Sequence, residues 1–225
     1  MAANWMRRTA LVAACASAAL LAACGSSTTE SAFTPERLVA FGDAYNDVGQ
    51  KGTRYSVNDG SVNNWTLQVA SRYGRTLAAS SAAGGRSYAV GNARVAAKPD
   101  AAGVAATPTV TEQIDAFLAA GGVATNDLIF INGGPSDVIA GMAAVTSGSL
   151  STTDMVAASR KAGQDLATQV RRLVTAGAKN IVVTGTYDLG KTPWAKTINR
   201  ESLLSDASSR FNEGLLVSIV DLGAN

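Results

Sequence analysis

The stretch "LVAFGDAYNDVGQ", Leu38 to Gln50, decides the fold. With Arg37 before it, "RLVAFG" (37–42) is a short apolar run ended by glycine, the pattern of a strand buried in a core. The Gly-Asp turn that follows is of the sort that lifts a side chain clear of a sheet edge, where a nucleophile is often presented. At that point stands Ala44, a methyl group.

Outward from this turn the chain alternates strands with helices. "NNWTLQVASRYG" (63–74) sets Trp65, Val69 and Tyr73 at helical spacing and stops at a glycine. "SYAVG" (87–91) reads as a second, short strand, and the Ala/Gly/Pro-rich run 96–108 as a long surface loop. Thr109 precedes Glu112 by three residues, a capping box, and Ile114, Phe117 and Leu118 then share one face before Gly121 stops the helix. "DLIFING" (127–133) and "NIVVTG" (180–185) are further buried strands. The helix over 152–177 carries Met155, Ser159, Ala162, Leu166, Val170 and Leu173 as one stripe. A last helix over 199–223 carries Leu204, Ala207, Phe211, Leu215 and Ile219. Strands that are apolar throughout, separated by long helices, predict a parallel sheet covered on both faces. Sites in such sheets lie beyond the carboxyl ends of the strands, where the turns after Gly42, Gly91 and Gly133 would meet in one crevice.

Four blocks now stand in order, each just after an expected strand. "FGDAYNDVG" resembles the first block of the GDSL, or SGNH, hydrolases, in which Gly-Asp-Ser follows the first strand. "SYAVGNARV" resembles their second block, "INGGPSDV" the third, and "GTYDLGKTPWA" the segment after the fourth strand; together they span about Leu38 to Ala195. The resemblance implies an α/β, three-layer α/β/α flavodoxin-like domain with a mostly parallel sheet, truncated before the fifth strand. It also implies a family that hydrolyses esters of lipids and small acyl groups, with no cofactor or metal.

Carried over residue by residue, the resemblance fails at the chemistry. The family's Ser maps to Ala44, beside Asp43, so no catalytic set is intact. The oxyanion donors map to the Ala44 N–H, to Gly91 or its neighbour Asn92 where the family has a glycine pair, and to Ser136 where it has an Asn. The family's Asp-x-x-His follows a fifth strand, whereas the 225 residues stop after the last helix and contain no histidine. The domain is therefore expected to be incomplete at its C-terminal side. Direct attack by water with Asp43 as base is the paper alternative; an acid in such a turn more commonly braces it.

Several of these residues have plainer explanations. Asp43 and Asp47 suit Asx-type turns, Gly42, Gly49 and Gly91 suit unusual φ angles, and Asp137 suits the cap of a following helix. Trp65, Tyr88 and Trp194 could line an acyl pocket, with core packing the better expectation for at least two of them. Lys191 and Lys196 read as solvated charge.

The N-terminus is organised differently. "MAANWMRR", an apolar run too short to span a bilayer, and "LAAC" form a secretory signal over 1–23. Leu21-Ala22-Ala23-Cys24 resembles the bacterial lipobox, which implies a lipid-modified Cys24 and a membrane anchor, with Gly25 next to it matching the outer-membrane default. A Ser/Thr-rich linker (24–36) leads into the domain (37–225). The formal charge of +2 resides in Arg7 and Arg8, so the domain is neutral and no nucleic-acid partner is expected. A small-molecule or lipid ester is the expected ligand. Three readings follow: an ester hydrolase by descent, a pseudoenzyme that holds an acyl ester or glycan without cleaving it, or a non-functional fragment.

Overall fold

Unbroken apolar runs make the strands. The computed structural model describes residues 33–55 and 61–220, so the leader, Cys24 and most of the linker lie outside the described residues. Strand β1 (Arg37–Phe41) is buried from Leu38 onward, and β2 (Asp127–Asn132) is buried at every position. Strand β3 (Asn180–Thr184) is half-buried, with Val182 38% exposed. The three pair in parallel in the order β1-β2-β3, which makes β2 central. Register is pinned where the strands begin: Arg37 grips Asp127, the residue directly opposite, through Nε to Oδ1 at 2.6 Å and Nη2 to Oδ2 at 2.5 Å.

The expected strand at 87–91 is not formed as such. Ser87 makes only single parallel bridges, to Ala40 and Ala79. The segment still follows the outer edge of β1, with the Tyr88 N–H on Ala40 O (2.7 Å) and the Val90 N–H on Gly42 O (3.0 Å). Extended pairing then ends because Asn92 takes a φ of 68° and swings the chain across the end of the sheet.

Helices cover both faces. Helix α1 (Trp65–Arg72) is capped by Asn64, which accepts the Leu67 N–H at 3.0 Å. Helix α2 (Val110–Ala119) begins with the complete Thr109–Glu112 capping box. Helices α3 (Pro135–Thr146), α4 (Thr152–Thr175), α5 (Pro193–Thr197) and α6 (Glu201–Ile219) follow, with a short 3-10 turn at Leu189–Lys191 before α5. Val39, Phe41, Ile129 and Ile131 form the main core with α2, α4 and α6, through Ile114, Phe117, Leu166, Val170 and Phe211 among others. The intervening Phe130 points the other way, onto Trp65 of α1 at 4.9 Å between rings. Alternation along β2 thus builds one layer on each side. Helices α4 and α6 approach so closely that a Cβ on Gly163 would overlap the Phe211 carbonyl, and one on Gly214 the Arg160 carbonyl. A smaller cluster of Val138, Met142, Met155, Leu189 and Leu204 ties α3 to the start of α6.

Candidate functional site

The crevice is built on the ends of β1 and β2. The chain leaves β1 through Gly42 at a φ of 135°, a conformation L side chains rarely adopt. Asp43 follows, 2% exposed, and both oxygens of its carboxylate accept hydrogen bonds. Oδ1 accepts from Asn132 Nδ2 (2.6 Å) and the Tyr45 N–H (3.1 Å), and Oδ2 from the Ser136 hydroxyl (3.3 Å). Burial pushes the Asp43 carboxyl above the usual range, and the bonds from Asn132, Tyr45 and Ser136 hold it back. Asn132 also accepts the Asp43 N–H at 3.2 Å, so its one carboxamide fixes both ends of this residue.

Asp47 performs the second bracing. Its Oδ1 accepts the N–H groups of Gly49 and Gln50, both at 2.8 Å, in an Asx turn. Its Oδ2 accepts the Gly91 N–H at 2.8 Å. That bond corrects the expectation for Gly91: its N–H is committed to Asp47 and does not serve as an oxyanion donor. Nor does Gly91 serve a special φ; a Cβ there would collide with the Tyr55 ring. Ser136 is corrected likewise, since its hydroxyl is turned onto Asp43. The N–H groups of Ala44 and Asn92 make no hydrogen bond among the described residues. They are what the expected oxyanion set retains.

Asp137 does not cap α3. The cap position is Gly134, at a φ of 115°, followed by Pro135, and Asp137 lies inside the first turn. Its carboxylate reaches across to the loop after Asn92, accepting the Val95 N–H (3.1 Å) and facing Arg94 Nε (3.4 Å). Burial raises its pKa to about 6 from 3.8, against the pull of Arg94 and the Val95 N–H. The native state therefore binds this proton more tightly than the unfolded chain. Stability from it is present below about pH 4 and is lost as pH rises through about 6. A shift of that size corresponds to on the order of 3 kcal/mol. Urea unfolding of the protein and of Asp137→Asn, compared from pH 4 to 7, should show the wild type losing ground against the variant as pH rises. A pH-independent difference between the two would refute this.

Of the aromatic candidates, Tyr88 stacks on Phe41 at 5.6 Å and meets Phe117 edge to face at 5.7 Å, both in the core. Trp65 packs on Phe130 and donates from Nε1 to Asn46 Oδ1 at 3.0 Å, supporting the turn from below. Trp194 is exposed on α5, as are Lys191 in the turn before it and Lys196. The aromatics at the crevice are instead Tyr45 and Tyr187, each half exposed; burial and then the Asp43 charge raise the Tyr187 phenol. An apolar groove of about 480 Å³ starts at Tyr45 and runs past Val183 and Tyr187 to Leu215, Leu216 and Ile219. Sequence reasoning missed Asn132 and Tyr187. The signal for Asn132 was a polar residue closing an otherwise apolar strand.

Two comparisons complete the site. The family model described as GDSL-like Lipase/Acylhydrolase matches residues 38–224. The search of curated proteins found no significant match.

Proposed function

We propose, from the premise that the chain belongs to the GDSL-like lipase/acylhydrolase family, that its crevice holds an acyl ester and does not cleave it. Ala44 carries the reading: the turn that presents a nucleophile is braced on every side, and a methyl group occupies the place of attack. No histidine occurs in the sequence to activate a substitute. The Asp43 carboxylate is a poor substitute, because it is buried and spends hydrogen bonds at both oxygens on bracing the turn. The groove that opens at Tyr45 gives an acyl chain an apolar bed beside the turn. p-Nitrophenyl butyrate serves as the probe, because it reports binding through the melting temperature and cleavage through released nitrophenolate. A ligand at ten times its Kd adds about 1.4 kcal/mol of stability, which at about 2–4 °C per kcal/mol raises the melt by roughly 3–6 °C. No shift at any soluble concentration would remove the binding half of the proposal.

The same reading makes the protein a lipid-anchored one of the bacterial envelope, held through Cys24, with the outer membrane as destination. Acyl chains contribute about 0.8 kcal/mol per buried methylene, so diacylation plus an amide-linked chain anchors firmly. Labelling of expressing cells with radioactive palmitate should mark the protein and spare Cys24→Ala; equal labelling of both would contradict the anchor.

A further inference from the structure

Gly42 lies one residue beyond the β1–β2 ladder, whose last register pair is Phe41 with Ile131. Its peptide groups nevertheless sit in the core, so they need partners from elsewhere. The Val90 N–H reaches Gly42 O at 3.0 Å, and one side chain meets both the donor and the acceptor. Gln113 of α2, 2% exposed, accepts the Gly42 N–H at Oε1 (2.8 Å) and donates from Nε2 to Gly42 O (2.9 Å). Nε2 also faces Pro108 O at 3.3 Å, just before the helix begins. The carboxamide thus treats Gly42 as a neighbouring strand would, meeting both its donor and its acceptor. Helix α2 is itself seated rigidly, with Val110, Ile114 and Phe117 buried in the main core.

We infer that Gln113 is a positioning residue: its carboxamide acts as a one-residue surrogate strand that sets the orientation of the Gly42–Ala44 turn, and with it the direction of the free Ala44 N–H. Two side-chain amides then share the turn. Asn132 holds Asp43 from β2, and Gln113 holds Gly42 from α2. The inference concerns how the crevice is shaped and stands whether a bound ester is cleaved or only held.

Glutamate makes the test specific. A neutral Glu carboxyl offers the same acceptor and donor as Gln, whereas an ionised one has no donor and would set negative charge against Gly42 O. Hydrogen exchange by mass spectrometry, corrected for intrinsic rates, compares the turn peptide 38–50 with the strand peptide 127–132. In Gln113→Met the turn should exchange about tenfold faster or more, as expected for a lost pair of buried hydrogen bonds, with the strand little changed. In Gln113→Glu the turn should be protected like the wild type near pH 4 and exposed near pH 8. The wild type at the same pH values accounts for the other charges around the turn, namely Asp43, Asp47, Glu112 with Lys98, and Asp137 with Arg94. Should Gln113→Met fail to fold, Gln113→Glu read across pH carries the comparison alone. Equal acceleration of both peptides, an unchanged turn, a pH-independent Glu variant, or global unfolding of that variant at high pH would each overturn the inference.

Discussion

Nitrophenolate release from p-nitrophenyl butyrate by this protein should match buffer, and Ala44→Ser should leave it there. Loss of either the serine or the histidine of a hydrolytic triad costs on the order of a millionfold in turnover, and the losses overlap because the residues act as one unit. Within these 225 residues a restored serine has no imidazole to take its proton, so it recovers almost nothing. The structure strengthens the expectation. A hydroxyl at position 44 would need a base, and the adjacent carboxylate is committed to Asn132, Tyr45 and Ser136. The oxyanion site is also depleted, since the Gly91 N–H belongs to Asp47 and the Ser136 hydroxyl to Asp43. Oxyanion donors and binding by themselves retain roughly a thousandfold over water in an intact site; this crevice should fall short of that. Turnover above buffer by the unmodified protein, or a fluorophosphonate adduct at any residue of the crevice, would defeat the claim. A melting shift without release is the outcome that supports it.

Gly42→Ala should be the most destabilising single-methyl change in the turn, costing on the order of 4 kcal/mol or more. Two effects combine. The φ of 135° is unfavourable for any residue with a Cβ, worth about 1–3 kcal/mol of strain. The new methyl would also overlap Asn132 Oδ1 and lie 2.7 Å from its Cγ, displacing the carboxamide that satisfies Asp43. Each buried polar group left without a partner costs about 1–3 kcal/mol. At about 2–4 °C per kcal/mol the melting temperature should fall by roughly 10–15 °C. Gly148→Ala is the control, because Gly148 also has a positive φ (77°) but nothing within 4 Å of the new methyl. It should lose only the strain. Equal losses at the two positions would mean that Asn132 does not brace the turn.

Those two residues show where reading the sequence succeeded and where it stopped. Gly42 was legible because a glycine closing an apolar run has few other uses. The three strands of the sheet, the capping box at Thr109 and the stripe on α4 were legible for the same kind of reason, each being a local pattern of burial or capping, whereas the expected strand at 87–91 was not formed. Expectations for Gly91, Ser136 and Asp137 named the right places but not the bonds. An N–H, a hydroxyl and a carboxylate can each serve several partners, and which one is chosen depends on what the fold brings within 3 Å. Gly91 meets Asp47 across 44 residues, and Ser136 meets Asp43 across 93.

By itself the sequence determined that position 44 carries a methyl group and that these 225 residues contain no imidazole, because composition needs no geometry. It also determined the parallel α/β plan, since strand and helix periods are properties of consecutive residues. Tertiary structure alone decided which polar groups remain free in the crevice. Hydrogen bonds between segments far apart in the chain are settled by packing, and here packing gave two of the four expected donors, the Gly91 N–H and the Ser136 hydroxyl, to carboxylates that shape the turn.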